Sequence, residues 1–173
     1  MTKKIPSVCV SLPAYDQMHV DTCLSLIKLF DKFTQAKIKT TINTFKCPYI
    51  GYSRNILTAL FLQSGFDYQL FVDADVGFEP DVVGRMIVAE KDFICCPYRK
   101  KTQDNSVKYS VQFEDYQNIN IDNKGVCEIK RGPAGLTLIH RKVYEQLMAK
   151  HPELKIKNYS AISEDAAKYL YNF

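Results

Sequence analysis

Residues 70–80 read LFVDADVGFEP, an apolar run that ends in two carboxylates one residue apart. In an extended strand, residues i and i+2 share one face, and each residue advances the chain by about 3.3 Å. Asp73 and Asp75 can therefore converge on one divalent cation. Hard cations such as Mg²⁺ and Mn²⁺ prefer oxygen ligands and complete their coordination with substrate phosphates. The stretch predicts a buried strand whose end carries a phosphate-binding metal site.

A simpler interpretation is that the acids after this strand begin the next helix. Glu79, Pro80 and Asp81 have the composition of a helix start, with proline in the first turn. This interpretation accounts for Glu79 and Asp81. It does not account for Asp73, which follows an apolar residue and precedes the turn, where an unpaired charge is costly.

Composition limits the class of protein. The chain has 173 residues, 46% of them apolar, which predicts one domain with one core. We find no apolar run of about 18 residues and no secretory leader, so we expect no transmembrane segment and a cytoplasmic location. The evenly spread net charge of +4 suits an anionic ligand and argues against nucleic acid. Six scattered cysteines predict buried reduced thiols rather than a zinc site.

The first half of the chain alternates predicted strands and helices, which is typical of a mostly parallel sheet covered on both faces. We expect Asp21 to cap the first helix, Ser53 to cap the second and Gly65 to end the second. Strands are predicted at residues 5–12, 37–45, 68–73 and 92–98, and helices at residues 21–35, 53–64 and 80–90.

The second half changes character and predicts a mixed or antiparallel arrangement. Short strands are predicted at residues 107–113, 126–130 and 136–140, with a turn at 123–125. Helices are expected at residues 141–150 and from Ser163 onward. Because the sequence stops at Phe173 inside that predicted helix, we expect a C-terminal region to be missing.

Four motifs, in order and across most of the chain, resemble those of the GT-A glycosyltransferases, especially the family 2-like branch and its small viral and phage members. They are LPAYD at residues 12–16, SRN at 53–55, FVDAD at 71–75, which matches the DxD element, and SED at 163–165. The resemblance implies a GT-A fold, a Rossmann-like αβα sandwich in a single domain of residues 1–173. Residues 1–100 would bind the nucleotide and residues 101–173 the acceptor.

The resemblance also implies an activity. The protein would transfer a hexosyl or deoxyhexosyl group from a nucleotide-sugar, a UDP-sugar by preference, to a hydroxyl acceptor such as a glycan, with inversion. The cofactor would be Mn²⁺ or Mg²⁺, and a viral member would act in the host cytoplasm. The particular sugar, the acceptor and the oligomeric state stay open.

Roles for individual residues follow from the same resemblance. Asp75 would hold the metal, directly or through water, while Asp73 would contact the ribose or the sugar and complete the metal site. In the loop after the first strand, Tyr15 would stack on the base and Asp16 would accept its ring N–H. The loop that receives the nucleotide comprises Pro13, Ala14, Tyr15 and Asp16, and Ala74 lies between the two acids of the DxD element.

Three further residues have both a functional and a structural interpretation. Arg54, expected at a helix N-terminus, would favour an anion, or is a surface arginine. Gly135, in the GPAG segment at 132–135, would let the backbone approach the sugar closely, or belongs to a plain turn. Glu164 and Asp165 would supply the catalytic base, with Asp165 preferred, or complement the N-terminus of a helix capped by Ser163.

Two other functions compete with the glycosyltransferase. A haloacid-dehalogenase-like phosphatase also has an apolar strand ending in D-x-D, and would use Asp73 as its nucleophile. That motif normally lies on the first strand, whereas here it follows two predicted strands and two predicted helices. The other alternative is a non-catalytic nucleotide-sugar-binding module that keeps the fold without turnover.

Overall fold

A mixed five-stranded sheet organises the residues that the computed structural model describes, which are 5–99, 108–157 and 160–173. Its strand order is β2-β1-β3-β5-β4. β1 pairs in parallel with both β2 and β3, whereas β5 lies antiparallel between β3 and β4. The strands are β1 (Val8–Ala14), β2 (Thr40–Lys46), β3 (Tyr68–Val72), β4 (Phe93–Cys95) and β5 (Leu136–His140).

Helices cover both faces of this sheet. Alternate residues of β1 point to opposite faces, so Val8 and Val10 enter one core cluster while Cys9 enters another. The first cluster packs under α1 and α3 and the second under α2 and α4, which gives three layers. The helices are α1 (Val20–Gln35), α2 (Ile50–Ser64), α3 (Pro80–Ala89), α4 (Arg141–Lys150) and α5 (Glu164–Ala167), with a 3₁₀ turn at Pro152–Leu154.

The predicted αβα architecture with a mostly parallel first half is therefore confirmed. The order of elements through β3 and α3 follows the sequence pattern, and Gly65 ends α2 in the left-handed conformation, as expected. The division of the chain near residue 100 stays a prediction.

Two helix starts differ from the prediction. α1 is capped by His19 rather than Asp21: His19 Nδ1 accepts from the Asp21 backbone N–H at 3.3 Å. The predicted cap Ser53 lies inside α2, which already starts at Ile50 after Tyr49. The Ser53 hydroxyl instead donates to the Phe45 carbonyl at 3.1 Å, which fastens α2 to the end of β2.

The strands after α3 are shorter than predicted. β4 ends at Cys95 because Pro97, two residues on, has no N–H to donate to a ladder. The predicted strand at 126–130 and the described part of that at 107–113 form isolated bridges instead. Cys127 bridges to Ile121, Tyr109 to Arg99, and Gln112 to Arg131. The predicted start of the strand at 107 lies outside the described residues.

The predicted helix from Ser163 onward is reduced to α5. Ser163 does cap it, since its Oγ accepts from the Ala166 N–H at 3.3 Å. The helix stops at Ala167 because Leu170 turns inward to a fully buried position and Tyr171 forms a bridge with Lys155. Within the described ranges, no helix is long and apolar enough to cross a membrane.

Candidate active site

The candidate site lies at the carboxyl end of β1 and β3, which run parallel and so finish at the same edge of the sheet. In open α/β sheets, ligands bind outside this edge. Asp73 follows β3 directly, and its backbone N–H donates to the Gly135 carbonyl at 2.8 Å. Because β5 is antiparallel, its beginning rather than its end reaches the same edge. Gly135 and the DxD element are thus brought together, as the resemblance implies.

The two acids lie on a turn and not on a strand. β3 ends at Val72, and the Val76 N–H donates to the Asp73 carbonyl at 3.1 Å. Two groups at the start of α1 hold this turn in place. The Ala74 carbonyl accepts from the His19 N–H at 2.8 Å and from the Thr22 hydroxyl at 3.2 Å. The expected position of both acids on one strand is therefore wrong, and the turn sets their directions instead; their convergence on one cation stays a prediction.

Arg54 contacts Asp73 directly. Its Nη2 lies 2.6 Å from Asp73 Oδ1, and the two side chains are 26% and 27% exposed. The guanidinium also lies over the Phe71 ring, with Cζ 5.7 Å from the centroid. Its buried Nε has no hydrogen-bond partner among the described residues. A half-buried aspartate thus has its charge compensated by a half-buried arginine.

The predicted position of Arg54 at a helix N-terminus is wrong. Because α2 starts at Ile50, Arg54 lies in the second turn, beyond the backbone N–H groups that favour an anion. Its side chain reaches the site through the ion pair with Asp73.

Tyr98 also belongs to the site, although the sequence did not single it out. A Cβ built on Gly135 would lie 2.9 Å from both Cε1 and the hydroxyl oxygen of Tyr98, and 3.0 Å from Asp73 Oδ2. Only glycine at position 135 leaves room for Tyr98 and Asp73 to come this close. Burial raises the pKa of the Tyr98 hydroxyl, and the charges of Asp73 and Asp75 add to the rise while Arg54 opposes it. The signal that could have identified Tyr98 is its position in the chain. Tyr98 comes shortly after β4, whose carboxyl end lies at the same edge of the sheet as the DxD turn.

A surface pocket of about 560 Å³ adjoins the DxD turn. Its walls come from the DxD turn itself, from Pro13 at the end of β1, and from His19 and Val20 at the start of α1. Ile50 at the start of α2 completes it. Sequence reasoning missed His19 and Ile50, which face the site because both helices begin at this edge.

The loop after β1 lies beside this pocket. Tyr15 is 65% exposed, so its ring face is accessible to a base. Asp16 pairs with Lys46 at 2.7 Å, and the Ala14 carbonyl accepts from the Cys47 N–H at 3.1 Å. The end of β2 thereby holds this loop. Pro13 at the end of β1 lines the pocket, and so do Gln17 and Met18 of the loop.

Glu164 and Asp165 lie apart from the pocket lining. Both are exposed in the first turn of α5, and Asp165 accepts from Lys168 of the next turn at 2.7 Å. This pairing holds the pKa of Asp165 below its ordinary value of 3.8. Neither acid is among the described residues that line the pocket. Their catalytic role stays a prediction.

The donor set at the DxD turn fits a hard divalent cation that is shared with a ligand. Asp75 lines the pocket, as does Asp73, one oxygen of which is bound by Arg54. Within residues 5–99, 108–157 and 160–173, no group of three or more His, Cys, Asp or Glu side chains is placed to hold a metal. Mg²⁺ or Mn²⁺ held by Asp75 would take its remaining ligands from phosphates and water.

The fold is an α/β sandwich in which helices cover both faces of an open mixed sheet, and it is consistent with a Rossmann-like fold of the GT-A type. No family model matches the sequence, and neither does any curated protein. Among solved structures, A197 from STIV matches 94% of this chain and 76% of its own, with 20% identity and a TM-score of 0.51. At this identity the similarity concerns the fold alone.

Two further solved structures show weaker similarity. The 4-diphosphocytidyl-2C-methyl-D-erythritol synthase from Anaerococcus prevotii has a TM-score of 0.43 and 10% identity, covering 94% of this chain and 82% of its own. A glycosyltransferase involved in the glycosylation of the major capsid of PBCV-1 has a TM-score of 0.41 and 12% identity, covering 89% and 72%. These two similarities do not bear on function.

Proposed function

We propose that this protein is a metal-dependent glycosyltransferase that transfers a hexosyl or deoxyhexosyl group from a nucleotide-sugar, by preference a UDP-sugar, to a hydroxyl acceptor such as a glycan. One observation carries the proposal. The Asp73–Asp75 turn, fixed by α1, Arg54 and Gly135, borders a pocket of about 560 Å³ at the carboxyl edge of the sheet. This combines acidic metal ligands with space for a nucleotide.

Different residues of the site would bind different parts of the nucleotide-sugar donor. Asp75 would hold Mn²⁺ or Mg²⁺, which when bound neutralises charge on the departing diphosphate. Arg54 keeps Asp73 in one orientation, so that its second oxygen can accept from a hydroxyl of the ribose or the sugar. The exposed ring of Tyr15 would stack on the base, and Pro13 would line the nucleoside pocket.

Asp165 is the proposed base for the acceptor hydroxyl, with Glu164 beside it. The carboxylate of Asp165 is ionised at neutral pH, as a base must be, while the pairing with Lys168 lowers its pKa and so makes it a weaker base. Attack by the deprotonating hydroxyl on the anomeric carbon, opposite the departing diphosphate, would invert the configuration.

Calorimetric titration with UDP and GDP, each with Mn²⁺ and again with chelator, tests this function. We expect one nucleoside diphosphate to bind in a Mn²⁺-dependent manner, and the Asp75→Asn variant to lose that dependence while keeping its fold. Asp81→Asn is the matched control, since Asp81 is an exposed acid in the first turn of α3. Unchanged binding by Asp75→Asn would contradict the metal assignment.

Two other outcomes would favour the alternatives. If neither nucleotide binds and the protein hydrolyses p-nitrophenyl phosphate in an Asp73-dependent reaction, it is a haloacid-dehalogenase-like phosphatase. If a nucleotide-sugar binds and is never transferred or hydrolysed, the protein is a binding module. The ion pair with Arg54 disfavours the phosphatase, because an aspartate whose oxygen is bound by a guanidinium is a weaker nucleophile.

A further inference from the structure

Tyr98 is held rigidly at the far side of the DxD turn. The Ser110 backbone N–H donates to the Tyr98 carbonyl at 3.1 Å, and the Ser110 hydroxyl donates to the same carbonyl at 3.1 Å. The half-buried ring packs against the core cluster beneath α1 and α3. Its rotation is therefore restricted, and its hydroxyl occupies a defined place.

The Tyr98 hydroxyl lies near Asp73 Oδ2, the carboxylate oxygen that Arg54 does not bind. The hydroxyl oxygen of Tyr98 and Asp73 Oδ2 lie 2.9 and 3.0 Å from the position that a Cβ on Gly135 would take, so both oxygens lie against this glycine, whereas Arg54 binds Asp73 Oδ1. The Tyr98 hydroxyl can donate its proton to a ligand, and Asp73 Oδ2 can accept one. A donor and an acceptor thus lie against the same glycine beside the DxD turn, and the space in front of them can receive a ligand hydroxyl.

The strand order shows which part of a donor would reach this space. The pocket lies over β1 and β3, whereas Tyr98 and Gly135 stand at the ends of β4 and β5, across the DxD turn. A nucleotide-sugar has its nucleoside and its sugar on opposite sides of the diphosphate. With the nucleoside over β1 and the diphosphate at Asp75, the sugar extends toward Tyr98.

We infer that Tyr98 is a specificity-determining residue, whose hydroxyl donates a hydrogen bond to a hydroxyl of the transferred sugar. The inference rests on the proposed function and names a contact for it. A site built to pair with a particular hydroxyl discriminates against sugars that lack it, because the buried polar groups would be left unpaired. Loss of one neutral hydrogen bond weakens binding by about 3- to 10-fold.

The test compares UDP with UDP-glucose, UDP-galactose and UDP-N-acetylglucosamine, each with Mn²⁺, by calorimetry on the wild type and Tyr98→Phe. We expect Tyr98→Phe to weaken at least one UDP-sugar by about 3- to 10-fold and to change UDP by less than about 2-fold. Tyr68→Phe is the matched control, since Tyr68 is also half-buried and begins β3 at the opposite edge. Thermal unfolding of both variants verifies that they are folded.

The outcomes separate this inference from the proposed function. If the wild type binds UDP with Mn²⁺ and Tyr98→Phe weakens UDP and the UDP-sugars equally, or weakens none, the sugar contact is wrong and the proposed function stands. Binding of UDP without any of the three UDP-sugars also overturns the sugar contact. If the wild type binds no nucleotide, both the sugar contact and the proposed function are wrong.

Discussion

Arg54 Nη2 lies 2.6 Å from Asp73 Oδ1, joining the second turn of α2 to the residue that follows β3. The arginine was expected to favour an anionic ligand, and in the structure it contacts the first acid of the DxD turn. Both side chains are about three-quarters buried, so each charge depends on the other more than in an exposed pair. The ion pair therefore makes the orientation of the Asp73 carboxylate depend on the position of α2.

A double-mutant cycle on Arg54→Met and Asp73→Asn should reveal this dependence. We expect either single variant to lower the free energy of unfolding by about 1–3 kcal/mol, because the remaining charge is left half-buried, and the double variant to recover part of the loss. Urea denaturation measures all three. The exposed pair of Lys46 and Asp16 is the control, and its coupling should stay below about 1 kcal/mol. Equal coupling in the two cycles would contradict the prediction.

Gly135→Ala should damage the site by crowding. Its Cβ would lie 2.9 Å from the Tyr98 hydroxyl and 3.0 Å from Asp73 Oδ2, so both side chains must move. We expect a loss of about 1–3 kcal/mol in unfolding free energy, together with weaker Mn²⁺-dependent nucleotide binding. Gly84→Ala, in α3 with nothing within 4 Å of the new Cβ, should instead stabilise by about 0.5–1 kcal/mol. Wild-type binding by Gly135→Ala would show that the close approach is unimportant.

Asp165→Asn should lower kcat by about 10²- to 10⁴-fold without changing donor affinity, if Asp165 is the base. The comparable exposed acid Glu153 provides the control, as Glu153→Gln. An unchanged kcat for Asp165→Asn would exclude it as the base.

The pH profile offers a second check on Asp165. Lys168 lowers the pKa of Asp165, so the active carboxylate persists below pH 3.8, and the acid limb of kcat/KM from this group lies below that value. In Lys168→Met the carboxylate loses its partner, its pKa rises toward 3.8, and the acid limb should move to higher pH. If the acid limb of Lys168→Met stays at the pH seen in the wild type, a group other than Asp165 produces it.

Cys9 should be the slowest thiol to react in the folded protein. Burial raises the pKa of Cys9 to about 11, so at pH 8 only about one molecule in a thousand carries the thiolate. Because the folded pKa exceeds the ordinary value of 9.0, ionisation of Cys9 destabilises the fold as the pH rises above 9. Iodoacetamide labelling followed by peptide mass spectrometry, with and without urea, measures this. Labelling of Cys9 as fast as the half-buried Cys47 would contradict it.

The sequence predicted most of the fold where burial is periodic and local. The apolar runs of β1 and β3 and the buried stripe of α2 were recognised because each is completed within a few residues. The starts of α1 and α2 were not, since they depend on distant partners: the His19 N–H donates to the Ala74 carbonyl across the sheet edge, and the Ser53 hydroxyl donates to the Phe45 carbonyl. The strands predicted at 107–113 and 126–130 failed because none of their described residues is fully buried, Tyr109 being exposed, so no covering layer supports a ladder there.

The candidate site was predicted in part for a similar reason. Asp73 and Asp75 could be found because an acid pair after an apolar run is unusual within a short window. Tyr98 could not, because an apolar strand end followed by tyrosine is common and its contact with Gly135 arises from the antiparallel β5. A residue's position on the sheet edge becomes known only when strand order is known.

The antiparallel direction of β5 has a consequence for how this protein could be altered. The chain leaves the sheet after β4 and returns to it at β5 on the same edge, where the Cys96 N–H donates to the Leu136 carbonyl at 2.9 Å. This hydrogen bond closes the base of the connection between β4 and β5. Sequence inserted at the exposed turn around Lys124, within that connection, would leave the strand register untouched. The turn is a natural position for grafting a new loop without redesigning the sheet.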